Sequence, residues 1–150
     1  MSERVLALVG CGDQKRADPT RAANLYTSAY FRKKREWAES CDSWRILSAE
    51  HGLVEPASVL APYDTRIGDF DDEEVANWAE AVWSELSKLV EDVDIVVVLA
   101  GGDYFNPLDS ELSEAGVRVV WPFEGKRIGE QIAWMKHNPP PDQSTFEAFQ

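Results

Sequence analysis

The sequence predicts an α/β fold: a four-stranded parallel sheet between two helical layers, flavodoxin-like or Rossmann-like. Three observations carry that prediction. Four apolar, β-rich runs (Arg4–Gly10, Trp44–Ala49, Asp94–Ala100 and Val117–Trp121) alternate with segments of helical periodicity, the pattern of βαβ units. Glycine clusters follow two of the runs, as Gly10-Cys11-Gly12 and Gly101-Gly102. The chain has 150 residues, enough for one core that buries roughly two-thirds of the unfolded surface.

Taken in order, the run Val5-Leu6-Ala7-Leu8-Val9 reads as a short buried strand. The first long helix is expected from Ser28 to about Ser40, with Thr27 or Ser28 as N-cap and Phe31, Arg35 and Ala38 at helical spacing. After the second strand, a long connection from Glu50 to about Asp69 contains Gly52, Pro56 and Pro62 and is expected to form an ordered lid or wall. The next helix is the clearest element. Val75, Trp78, Ala79, Val82, Trp83, Leu86, Leu89 and Val90 recur at steps of three and four, giving one apolar stripe. Asp71, Asp72, Glu73 and Glu74 precede it, where carboxylates oppose the positive end of the helix dipole, so a helix start explains them better than a metal site.

A short third helix is expected after Asn106 as cap, with Pro107 in its first turn, ending near Gly116. A fourth runs from about Ile128 to His137 and is expected to bury Ile128, Ile132 and Met135. Three consecutive prolines then end helical structure. The domain organisation is therefore one α/β domain, residues 1–137, and a proline-rich tail, residues 138–150, whose Phe146 and Phe149 are candidates to dock on the body or a neighbour.

Right-handed crossovers arrange the four strands most simply in the order 2-1-3-4. In such a sheet the ligand crevice opens at the carboxyl ends of strands one and three, where the winding reverses. The loops leaving those ends are Gly10-Cys11-Gly12-Asp13-Gln14-Lys15 and Gly101-Gly102-Asp103-Tyr104. Cys11 is the candidate nucleophile, with Lys15 to favour its thiolate; a buried structural cysteine is the competing explanation. Strand two leads to Ser48-Ala49-Glu50-His51-Gly52, and strand four to Phe123-Glu124-Gly125. Glu50, His51, Asp103 and Glu124 are therefore candidate acids or bases, and Cys11 with His51 would make a nucleophile and base couple. A loop-stapling His51 stays open beside that role. Gly10, Gly12, Asp13, Tyr26, Ser48, Tyr63, Gly101, Gly102 and Tyr104 are the expected ligand-binding residues, the tyrosines because they can stack on a planar base. Plain turn chemistry and a wall role compete with these assignments.

Composition excludes several classes. A formal charge of −12, from 27 acidic and 15 basic residues, repels polyanions, so independent, non-specific nucleic-acid binding is disfavoured. No apolar stretch is long enough to span a bilayer, no signal peptide is recognisable, and two cysteines without zinc spacing fit a reducing cytoplasm. The acidic, lysine-poor surface also fits a halophilic source, an idea that fails if the melting temperature does not rise from low to molar salt. No metal or other cofactor is expected, because neither G-x-G-x-x-G nor G-x-x-x-x-G-K-[ST] is complete.

Several ordered motifs complete the picture: Cys11-Gly12-Asp13-Gln14-Lys15; Leu25-Tyr26-Thr27-Ser28 with Phe31-Arg32 and Arg35; Ser48-Ala49-Glu50-His51-Gly52-Leu53-Val54; Pro62-Tyr63-Asp64; and Pro122-Phe123-Glu124-Gly125 with Ile128-Gly129 and Gln131. Over about residues 5 to 136 they resemble a family of small, largely uncharacterised bacterial, archaeal and phage proteins with a C-S-x-x-K, L-Y-T-S and S-A-x-x-G-L-V signature. Gly12 stands where that family has serine, so no hydroxyl role falls there. The Cys11 to Lys15 spacing also resembles the C-x-x-x-K signature in the catalytic domain of archaeosine synthase, which modifies a 7-deazaguanine base in transfer RNA. The expected sheet and crevice look like nucleoside deoxyribosyltransferases, in which a carboxylate attacks the sugar. These resemblances imply a small enzyme acting on a nucleobase, nucleotide or modified nucleoside, with Cys11 as nucleophile assisted by Lys15. The alternatives are a carboxylate-dependent N-glycosidase or deoxyribosyltransferase, and a non-catalytic nucleotide-binding module or partner subunit. The expected partner is a nucleotide-like small molecule; a homo-oligomer or protein partner is also compatible.

Overall fold

The computed structural model describes residues 3–139; the expectations for Phe146 and Phe149 lie outside them. In chain order its strands and helices are β1 (Val5–Gly10), β2 (Thr20–Arg21), α1 (Ala22–Leu25), α2 (Ala29–Glu39), β3 (Ser43–Ser48), β4 (Gly52–Val54), β5 (Val59–Leu60), α3 (Asp72–Val90), β6 (Ile95–Leu99), α4 (Gly102–Phe105), α5 (Asp109–Glu114), β7 (Arg118–Val120) and α6 (Ile128–His137), with 3₁₀ turns at Ile67–Asp69 and Asn106–Leu108.

The fold is mixed α/β around a mostly parallel sheet of five strands, ordered β4-β3-β1-β6-β7. β1 pairs in parallel with both β3 and β6, and β6 with β7. The fifth strand corrects the expected count of four. β4 turns back antiparallel on β3, pairing Gly52 with Ser48 and Val54 with Ile46. Gly52 makes this reversal at φ +73°, a conformation in which side chains are strained. A three-residue strand has too little periodicity to stand out in the sequence. The rest of the Glu50–Asp69 connection is built as well: β5 pairs antiparallel with β2, Thr20 opposite Leu60.

Alternation along β1 distributes its side chains to two cores. Val5, Ala7 and Val9 pack with Phe31, Trp37 and Ala38 of α2 and Met135 of α6. Leu6 and Leu8 pack on the other face with Trp78, Val82 and Leu86 of α3 and Leu112 of α5. Every residue of β1 is buried, and each large side chain removed from water contributes about 1.5–3 kcal/mol. β1 is consequently a rigid post for whatever follows Gly10.

α3 begins with a complete capping box, Asp71 accepting from the Glu74 N–H while the Glu74 side chain accepts from the Asp71 N–H, which accounts for the acidic start. α2 is capped by Ser28, whose side chain accepts from the Phe31 N–H at 3.1 Å. Two expectations need correction. Ile128 is 56% exposed, because the buried face of α6 is set by Gln131 and Met135. The segment with Pro107 turns helical earlier than Asn106: Gly101 caps α4 directly after β6, and Pro107 sits in the following 3₁₀ turn.

Candidate functional site

Where β1 ends, the chain must pass close to β6. A Cβ at Gly10 would stand 3.1 Å from the Ala100 Cβ, closer than ordinary van der Waals contact, so glycine lets the strand ends approach without displacing Ala100. The Cys11 N–H still donates to the Leu47 carbonyl at 3.0 Å, which extends the sheet ladder and fixes the thiol at its edge. Cys11 then opens into a cleft of about 630 Å³. Asp13 and Gln14 share its lining with Ser28 and Tyr30 from α2, residues 65–69, and Asp103 and Tyr104 from α4.

The Cys11 Sγ lies 3.2 Å from the Tyr104 hydroxyl. Burial raises the Tyr104 pKa well above the ordinary phenol value, and the negative charge of an ionised Cys11 raises it further. Tyr104 is therefore a neutral phenol, able to donate to sulfur. Beneath the thiol lies Lys34, 3% exposed, whose Nζ donates to the Gly10 carbonyl at 2.8 Å and sits 4.2 Å from the centre of the Tyr30 ring. Desolvation lowers the Lys34 pKa to about 8, against an opposing pull from Cys11.

Within electrostatic reach of Cys11 runs a hydroxyl chain. Ser48 Oγ donates to the Tyr63 hydroxyl at 2.7 Å, and that hydroxyl meets Tyr26 at 2.5 Å. Burial pushes Tyr26 up to about 12 and raises Tyr63 further, and both also feel the Cys11 charge. Lys15 does not line the cleft. Its Nζ lies 4.4 Å from the Tyr63 ring centre and donates to the Asp13 carbonyl at 3.2 Å.

The candidates from the sequence separate accordingly. Cys11, Gly12, Asp13, Asp103 and Tyr104 meet at the cleft, and Asp13 faces Arg66 at 3.7 Å. Gly10, Tyr26, Ser48 and Tyr63 lie outside its lining. Gly101 and Gly102 start α4 and so aim Asp103 and Tyr104. His51 is exposed; its N–H donates to Ser48 Oγ at 3.1 Å, its ring stands edge-on to Tyr63, and it borders a different hollow with Arg45 and Leu53. The Cys11 and His51 couple is thus not assembled here, and His51 acts as a loop staple. Glu50 accepts from the Thr65 hydroxyl, and Glu124 is exposed on the turn after β7; neither lines the cleft. Lys34 was hidden in the run Lys33-Lys34-Arg35, which reads as a solvated face. The signal was its phase: Phe31, Lys34 and Ala38 share one side of α2, and that side is buried.

Residues 6–137 match the model of a family of unknown function, DUF6884, and the chain belongs to that family. An uncharacterised protein of Bacillus subtilis (strain 168), YfjM, is 29% identical over 136 residues, covering 85% of this chain and 89% of YfjM. No solved structure matches the chain. Among the described residues, no helix is long and apolar enough to cross a membrane.

Proposed function

We propose that the protein is a small enzyme that modifies a nucleobase or nucleotide-like compound, with Cys11 as nucleophile. The observation that carries this reading is the setting of the thiol: in a cleft, 3.2 Å from the Tyr104 hydroxyl, above a buried ammonium anchored on the Gly10 carbonyl. Lys34, rather than Lys15, supplies the charge that supports the thiolate. The net charge of −12 favours a small substrate over an independent grip on a polyanion. The likeness of Cys11 and Lys15 to archaeosine synthase points to an electrophilic carbon such as a nitrile. In that step the thiolate sulfur–carbon bond forms, one carbon–nitrogen π bond breaks, and the nitrogen takes the Tyr104 proton, which solvent restores, giving a thioimidate.

The test is intact-mass analysis after incubation with nitrile-bearing nucleobases. An adduct equal to the whole compound, on Cys11 and lost in Cys11→Ser, supports the reading; an adduct elsewhere, or none from any of them, sinks it. One observation favours a second reading: of the carboxylates proposed for glycosidic cleavage, only Asp103 lines the cleft. Under that reading Asp103→Asn abolishes release of base from a nucleoside while Cys11→Ala retains it.

A further inference from the structure

We propose that Arg16, Arg32 and Arg35 form a binding site for the phosphate group of a small phosphorylated compound, whatever the chemistry of Cys11. The three side chains line a hollow of about 300 Å³ together with Asn24, Tyr26 and Thr27. In a chain with 27 acidic and 15 basic residues, three guanidinium groups around one small hollow repel one another unless an anion joins them. Among the described residues, Glu39 is the one carboxylate paired with any of them, to Arg35 at 2.8 Å, and it does not line the hollow.

Each guanidinium is braced by the turn it serves. Arg16 Nε donates to the Asn24 carbonyl at 2.9 Å, Arg32 Nη2 to the Thr27 carbonyl at 2.9 Å, and Arg35 Nη1 to the Ala23 carbonyl at 2.7 Å and Asn24 Oδ1 at 2.6 Å. Bracing fixes the side chains yet uses only one edge of Arg16 and of Arg32. Toward the described residues, both Nη groups of Arg16, and Nε and Nη1 of Arg32, remain as donors, and such forks match the oxygens of a phosphate. A structural role alone accounts for the braces; it does not account for three charges gathered around a hollow whose lining holds no carboxylate.

The hollow lies against the back of the Cys11 cleft. The two are separated by a short ladder in which Lys15 bridges Tyr26 and the Thr27 N–H donates to the Gln14 carbonyl at 2.9 Å. Gln14 and Ser28 face the cleft, while Arg16 and Thr27 face the hollow.

Isothermal titration at low ionic strength tests the site, with inorganic phosphate, AMP, adenosine and a short single-stranded oligonucleotide as probes. Phosphate and AMP are expected to bind the wild type, and Arg32→Gln and Arg16→Gln, both at exposed positions, each to weaken them roughly tenfold or more. Adenosine is expected to ignore both substitutions, and Cys11→Ser to bind phosphate like the wild type, so failure of the nucleophile reading leaves this result standing. Equal affinity for phosphate and AMP marks a free-anion site, and tighter AMP marks a monoester site; both support the proposal. Phosphate binding no stronger than chloride binding, affinities unchanged in both arginine variants, or binding of the oligonucleotide alone overturns it.

Discussion

Cys11 and Cys41 stand at opposite ends of the same sheet, both free and both half-buried, and their surroundings are electrostatic opposites. Cys11 follows the carboxyl end of β1, with the Tyr104 hydroxyl at 3.2 Å and Lys34 below. Cys41 precedes the amino end of β3, with the Trp37 carbonyl at 3.9 Å and Asp42 beside it. Burial, helped by the Asp42 charge, pushes the Cys41 thiol up to about 12. The pair teaches that burial and the sign of a thiol's neighbours act together, as burial first and the Asp42 charge second do on Cys41. In a parallel sheet that sign is set by position, because the loops at the carboxyl ends build the site.

The comparison is broken most directly by alkylation. At pH 8 a thiol with a pKa of about 12 is ionised in about one molecule in ten thousand, against about one in four for an ordinary thiol. Iodoacetamide should therefore label Cys41 roughly two-thousandfold more slowly than a thiol of the unfolded chain. Labelling of the native protein, read by peptide mass spectrometry, should be confined to Cys11. Comparable labelling of the two would mean that their neighbours do not distinguish them.

Lys34 sharpens the same contrast, and its effect is visible in stability. Its pKa falls from 10.5 to about 8 on folding, a shift worth about 3 kcal/mol. Below pH 8 both states hold the proton and the cost is constant. Between about 8 and 10.5 the unfolded chain keeps a proton that the folded chain has released, so this group makes stability rise with pH. Cys41, Tyr26 and Tyr30, all raised to about 12, act in the other direction, since the folded state keeps protons that the unfolded chain loses above about 9 or 10. The difference between wild type and Lys34→Met removes their common contribution. In urea titrations the variant's advantage at pH 7 should shrink by about 3 kcal/mol by pH 10.5, and Cys11 should alkylate about tenfold more slowly in it at pH 8. A gap that stays constant with pH would show that Lys34 is not carrying a buried charge.

The scaffold was legible because it repeats. The apolar runs behind β1, β3 and β6 and the stripe of α3 each average over many side chains, and one ambiguous residue does not alter the period. β4 escaped because three residues carry no period, and its turn at Gly52 is marked by a single glycine. The site was legible in place and not in partners. Cys11, Asp103 and Tyr104 could be put together because loops after β1 and β6 must be neighbours. By sequence distance Lys15, four residues away, is the natural cation, yet the sheet edge turns it onto Tyr63. Lys34 reaches the thiol from another element, through a helix phase that sets one lysine of an adjacent pair inside and the other outside.

The smallest effect asks which atom holds the proton between Cys11 and Tyr104. Tyr104→Phe keeps the ring that stands 5.7 Å from Trp78 and removes only the hydroxyl, so the fold should be unchanged. If the phenol donates to a thiolate, its loss removes a charge-assisted hydrogen bond, and alkylation of Cys11 should slow about three- to tenfold at pH 8. If instead the neutral thiol donates to the phenol oxygen, the substitution frees the proton and the rate should stay level or rise. The raised Tyr104 pKa keeps the phenol neutral in either case, so the direction of the change in rate decides between the two. A faster reaction in Tyr104→Phe would reverse that bond and make Tyr104 a brake on the thiol instead of its support.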